Sequence, residues 1–249
     1  MSLPTNQVSL GFSFLSTVAT SFAIIGLSIW IPGNQVSLRW KLILNMLFAE
    51  LINASNNSIS GIFAYADSLK PSPGCVVNGF VGQLSIQAAD FSTLAIAVVT
   101  FITLRTGADS VKMEKLERYS RGIIAGIWLY PLTTASIGFF WPGYAPTSSN
   151  WCWLDKNTIA RYSLTHGPRV IIFTVIVILY SISAALLLSA ASANGKTNDV
   201  ENLDKEHAEE AKAAKKKIIN ATIRLMAFPI AYLILWAPGM ANRCKFLET

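Results

Sequence analysis

The sequence predicts an all-α membrane protein, a helical bundle of six transmembrane helices with its N-terminus outside. Three observations lead there. Of 249 residues, 52% are hydrophobic and only 14% are charged, and the mean hydropathy is +0.44. A water-soluble domain of this length exposes far more charge. Six apolar segments are each long enough to cross about 30 Å of hydrocarbon, which takes roughly 20 helical residues. The basic residues fall unevenly between those segments, and an excess of Lys and Arg marks the cytoplasmic side.

The spans run over 10–32, 41–65, 77–104, 121–141, 168–193 and 217–238. Residues 1–10 hold no Lys or Arg. The run that follows is longer than the core of a cleavable signal, so the first span is expected to stay as a helix. Pro32-Gly33 closes it and Gly167-Pro168 opens the fifth, since such pairs interrupt helices. Pro131 and Pro229 lie inside the fourth and sixth, where neighbouring helices can satisfy the backbone groups a proline frees. The chain 1–249 reads as a single domain without an internal repeat. Within it, 194–216 is a cytoplasmic charged loop or a helical extension. The stretch VENLDKEHAEEAKAAKKK (200–217) places acids first and lysines last, an order that suits a helix dipole. A solvated loop is the alternative.

Thirteen of the 20 Lys and Arg lie in 33–41, 105–121 and 194–217. Five lie on the opposite side, and Arg169 and Arg224 fall inside spans. The three basic stretches are therefore assigned to the cytoplasm. The net charge of +6 is spread over separate loops, which suits anionic lipid at the inner face and not a nucleic-acid partner. Under this orientation Cys75 and Cys152 both face the oxidising side. One reading is a disulfide tying the top of span three to the second outer loop. The other is two unrelated buried thiols. Cys244 is left over.

The second span is unexpectedly polar. In AELINASNNSISG (49–61), Glu50, Asn53 and Asn57 share a face about 60° wide at 100° per residue, with Asn56 off to the side. Span three repeats the pattern with Gln83, Gln87 and Asp90. Such stripes must face the bundle interior or a wet cavity, because lipid leaves them unpaired. Glu50 and Asp90 both reach about mid-membrane at 1.5 Å per residue. They are expected to share a proton, bind a cation or pair with polar groups across the bundle. The asparagines serve either as contacts holding helices together or as pocket residues. Asn53-Ala54-Ser55 and Asn56-Asn57-Ser58 match the glycosylation pattern but lie within the membrane.

GCVVNGFVGQLSIQAADFSTLAIAVVTF (74–101), SNWCWLDK (149–156) and FPIAYLILWAPGMANR (228–243) together resemble G-protein-coupled receptors. The resemblance is to the cyclic-AMP-receptor-like branch that includes fungal glucose-sensing receptors. It implies an extracellular small-molecule ligand among the helices, with Gln83, Gln87, Asp90, Asn53, Asn57 and Glu50 as candidate contacts. It also implies a heterotrimeric G protein on the inner loops, at Arg105, Arg118, Arg121, Lys215, Lys216 and Lys217. The Asp-Arg-Tyr motif of rhodopsin-type receptors is absent where the sequence reads LRTGAD (104–109), and Arg105 stands in its place. The resemblance implies seven helices against six spans read here. The expectation is a seven-helix receptor fold truncated after helix six, or a six-helix relative.

The functional expectation is a multi-pass plasma-membrane receptor that senses a nutrient or a cyclic-nucleotide-like molecule and signals to a G protein. The alternative is a proton- or cation-coupled transporter using Glu50 and Asp90. No enzymatic activity, metal site or cofactor is expected. His166 and His207 stand in neither metal-ligand nor triad spacing.

Overall fold

Long apolar runs bounded by glycine, proline and charge fold as helices here. The computed structural model describes residues 5–30, 37–66, 70–106, 110–147, 151–155 and 158–196. In order these form α1 (Thr5–Trp30), α2 (Leu38–Tyr65), α3 (Pro73–Thr106), α4 (Ser110–Arg118) and α5 (Ser120–Phe140), followed by strands β1 (Tyr144–Pro146) and β2 (Cys152–Leu154). A short α6 (Thr158–Arg161) then passes through a π-helical turn, Tyr162–His166, into α7 (Gly167–Lys196). The expected sixth span 217–238 lies outside the described residues, as do Lys215, Lys216, Lys217, Arg224 and Cys244.

Two units organise these elements. The first holds residues 1–96 and 111–172, and the second holds 97–110 and 173–249. In the first, α1 packs along α2, where the Thr17 and Ser58 hydroxyls lie 3.4 Å apart. Tyr144, Leu154, Ala160 and Leu164 form one buried apolar cluster. Ala49, Ala88 and Ala89 form another, against Trp128. In the second unit Ile176, Tyr180 and Ser183 are buried along one face of α7.

Among the described residues, four helical stretches are long and apolar enough to cross a membrane: Leu10–Ile29, Pro73–Arg105, Ser120–Phe140 and Ile159–Leu186. Their outer faces carry bare apolar side chains such as Phe22, Leu129 and Ile171, which suits lipid as their solvent. Helix α2 is long enough at 28 residues, but Asn45, Glu50, Asn53, Asn56 and Asn57 keep it out of that apolar class.

Three features differ from the sequence reading. The second outer loop contains an antiparallel hairpin, pairing Tyr144 with Leu154 and Pro146 with Cys152. The inner stretch after α3 coils into α4, and Glu117 on it caps α2: its Oε1 accepts the Leu38 N–H at 3.0 Å. A carboxylate there offsets the positive end of the α2 dipole, a task Ser37 leaves undone with its side chain. Finally, the fifth apolar helix begins at Thr158 instead of 168, because the chain runs through Gly167-Pro168 as a π-turn. The Gly167 N–H reaches back to the Tyr162 carbonyl. A Cβ on Gly167 would stand 2.8 Å from that same oxygen, so only glycine fits.

Candidate functional site

The site is built downward from the hairpin. Cys75, at the start of α3, is bonded to Cys152 on β2, with their Cα atoms 5.4 Å apart. Beside them Asn56 and Asn78 exchange bonds between α2 and α3. Asn56 Nδ2 donates to the Asn78 carbonyl at 2.9 Å, and Asn78 Nδ2 donates to Asn56 Oδ1 at 2.9 Å. Asn78 Oδ1 also accepts the Cys152 N–H at 3.1 Å. Asn56, off the polar stripe, thus fastens two helices and the outer loop.

One turn deeper, Tyr144 descends from β1 into the interface of α3 and α5. Added Cβ atoms on Gly79 and Gly138 would come within 2.5 Å and 3.0 Å of it, so these two glycines make its slot. Its hydroxyl lies 2.9 Å from Gln83 Oε1 and 3.1 Å from the Ala135 carbonyl. Burial pushes the Tyr144 phenol above its ordinary range, which keeps it a neutral donor.

Gln87 comes next. Pro168 has no N–H to return to the Leu164 carbonyl four residues earlier. That oxygen instead accepts a bond from Gln87 Nε2. Gln87 Oε1 in turn accepts the Thr134 hydroxyl of α5. One amide therefore joins α3, α5 and the break before α7. Asp90, a turn below, pairs with Arg169: the Nε–Oδ2 distance is 2.8 Å, and the side chains are 9% and 2% exposed. Arg169 reaches this depth because the helix starts at Thr158, eleven residues and about 16 Å above it.

Glu50 sits within electrostatic reach of Asp90 and Arg169, one turn before Asn53 on α2. Asn53 Oδ1 accepts from Asn57 Nδ2 at 3.3 Å. The two asparagines open onto a cavity of about 370 Å³ between α1 and α2, lined also by Phe12, Ser13, Ser16 and Trp151. Of the six expected ligand contacts, Asn53 and Asn57 line this cavity. Gln83, Gln87 and Asp90 are buried at 0%, 4% and 1% exposure and engaged within the protein. Arg105, Arg118 and Arg121, the expected G-protein contacts among the described residues, are exposed.

Sequence reasoning missed Arg169, Tyr144, Asn78, Thr134 and the pair Asn45–Trp128, in which the indole Nε1 donates to Asn45 Oδ1 at 2.9 Å. A lone arginine inside a span was the signal available. Buried charge requires a partner at its own depth, and starting the span at 168 set Arg169 too shallow to meet Asp90.

Among solved structures the chain is similar to squid rhodopsin, with a TM-score of 0.67 at 16% identity over 97% of this chain and 72% of that one. At that identity the likeness concerns the fold alone, a membrane-embedded helical bundle. The Git3 family model, described as "G protein-coupled glucose receptor regulating Gpa2", matches residues 3–187. The chain belongs to this family of G-protein-coupled receptors. It is also similar to two proteins of Arthrobotrys oligospora. The ascaroside receptor GPR3 is 29% identical over 191 residues, which cover 74% of this chain and 45% of that protein. The ascaroside receptor GPR2 is 26% identical over 184 residues, 70% of this chain and 43% of the other. The chain thus spans less than half the length of these relatives.

Proposed function

We propose that this chain senses an extracellular small molecule at the plasma membrane and passes the signal to a heterotrimeric G protein. Family membership supports receptor signalling through a G protein, and the relatives' names point to small organic ligands. The observation that carries the reading is the series of buried polar contacts that steps along α3 from the outer hairpin to mid-membrane. It runs through Tyr144–Gln83, Gln87–Leu164 and Asp90–Arg169. A change at the outer loop therefore has mechanically linked neighbours on α3, α5 and α7. A ligand shifts such an assembly only by binding one of its states more tightly.

The proposed G-protein contacts are Arg105, Arg118, Arg121, Lys215, Lys216 and Lys217. Asp90 held by an arginine speaks against its use as a coupling acid, so a transporter is the weaker reading. The test is nucleotide exchange on a purified heterotrimer with the chain in nanodiscs, over a nutrient panel that includes glucose. Replacing the three lysines by alanine should weaken exchange while ligand binding survives. Unchanged exchange would overturn the assignment of those lysines, and no exchange with any nutrient would overturn the receptor reading.

A further inference from the structure

The chain around the π-turn is pinned at two heights. Above the turn, Arg161 Nε and Nη2 donate to the Leu154 carbonyl at 3.0 Å and 2.7 Å, and Nε also reaches the Asp155 carbonyl at 3.1 Å. Both carbonyls stand at the end of β2, which Cys152 ties to α3. Below the turn, Arg169 holds Asp90 of α3 at 2.8 Å. Leu154 and Gln83 lie side by side: a single Cβ added to Gly138 would stand 2.7 Å from the first and 3.3 Å from the second. Gln83 precedes Asp90 by seven residues on α3, so the two anchor levels are about 10 Å apart. The arginines are eight residues apart. In a regular α-helix eight steps rise about 12 Å and turn about 800°, leaving the second side chain about 80° past the first. An i→i+5 bond fits one extra residue into a turn, and the Gly167 N–H makes such a bond to the Tyr162 carbonyl. Eight steps then act as seven, with a rise of about 10 Å and a turn of about 700°, within about 20° of alignment. This register lets both arginines meet their partners at once. In a regular helix one of them swings off.

We propose that Tyr162–His166 is a register latch for the outer hairpin. With Arg161 on the β2 carbonyls the turn is π-helical, and when the hairpin lets go it relaxes to α. Arg161 is the anchor that yields. Its bond to Asp155 is exposed, whereas breaking a buried pair such as Asp90–Arg169 is costly. On relaxing, the Gly167 N–H moves from the Tyr162 carbonyl to that of Ser163. Helix α6 then turns by about 100° and shifts by about 1.5 Å along its axis, taking Ala160 out of its cluster with Tyr144, Leu154 and Leu164. Any contact that lifts the hairpin is thereby converted into a helix rotation. The coupling is a property of the fold and holds whether or not a G protein reads it.

The chain has 2 histidines, and of these His166 alone precedes a glycine. The full chain in lipid nanodiscs, with carbon-13 at the histidine carbonyls and nitrogen-15 in glycine, therefore reports the Gly167 amide by itself in a carbonyl-filtered spectrum. Deleting Ser163, whose side chain makes none of the bonds above, removes the extra residue and keeps both arginines in place. That protein should melt within about 2–4 °C of the parent, and its Gly167 signal marks the α register. Arg161→Met should add a Gly167 signal at that position. It should also speed hydrogen exchange of β1 and β2, read by mass spectrometry, by about tenfold or more, while the α3 segment around Asp90 stays as protected as in the parent. Gly167→Ala, whose Cβ would stand 2.8 Å from the Tyr162 carbonyl, excludes the π register and should speed exchange in the same strands with Arg161 intact. The latch is overturned if Arg161→Met leaves Gly167 at the parent position alone, or if Gly167→Ala leaves the strands as protected as before. A protein lacking Ser163 that melts far below the parent overturns the register match on which the latch depends.

Discussion

Replacing Gln87 by leucine tests whether a side chain repairs the helix break at Pro168. The substitution removes one donor and one acceptor. The Thr134 hydroxyl keeps an alternative, since the Pro131 carbonyl lies 3.1 Å from it. The Leu164 carbonyl loses its Gln87 donor, and Pro168 has no N–H to replace it. A buried carbonyl stripped of its donor costs about 1–3 kcal/mol. For a chain of this size each kcal/mol moves the midpoint by about 2–4 °C, so the apparent melting temperature should fall by roughly 2–12 °C. The control is Pro168→Ala, which gives back the missing N–H. Alone it should change little, because Leu164 is already served. Combined with Gln87→Leu it should recover most of the loss, a coupling of about 1–2 kcal/mol in a double-mutant cycle. Intrinsic-fluorescence melting of all four proteins in one nanodisc composition measures this. If the two losses simply add, the proline vacancy is not what Gln87 fills.

Arg169→Gln leaves Asp90 uncompensated with Glu50 nearby and should cost about 3–5 kcal/mol. Asp90→Asn added to it should recover part of that, and no recovery in melting experiments would refute the pairing as the source. The raised phenol of Tyr144 stabilises the fold fully below the ordinary tyrosine value of about pH 10. That contribution is lost as pH climbs through the higher folded value. The stability gap between the parent and Tyr144→Phe should therefore be flat from pH 7 to 9.5 and shrink above about pH 10, and a gap that grows would contradict the sign. Non-reducing peptide mapping should recover Cys75 joined to Cys152, and removing the bond should cost about 2–5 kcal/mol. A linkage to Cys244 instead would overturn the orientation.

Much of the helix pattern was legible because lipid-crossing segments announce themselves by length and apolarity. Glu50, Asn53 and Asn57 on one face, and Gln83, Gln87 and Asp90 on another, followed from helical period alone. Their partners did not follow. Period says which residues share a face, but only the relative height and rotation of two helices decide who meets whom. Arg169 was hidden by a wrong starting point: Gly167-Pro168 looked like a boundary, and the π-turn converts that boundary into a mid-helix adjustment. Tyr144 was hidden because a loop residue gives no periodic signal, and its slot is made by glycines sixty-five positions earlier and six earlier. The Glu117 cap on α2 is an encounter between two segments that no local pattern announces.

The polarity of α2 has a consequence for how the chain is made. Glu50 at the middle of a lone helix opposes entry from the translocon by about 2.5–3.5 kcal/mol, and four asparagines add to the resistance. Bonds from Asn45 to Ser92 and between Asn56 and Asn78 hide much of that burden, but only once α3 is beside it. Helix α2 is thus expected to wait at the protein-conducting channel and enter the bilayer as a hairpin with its successor, so a lesion in α3 should strand both during biogenesis.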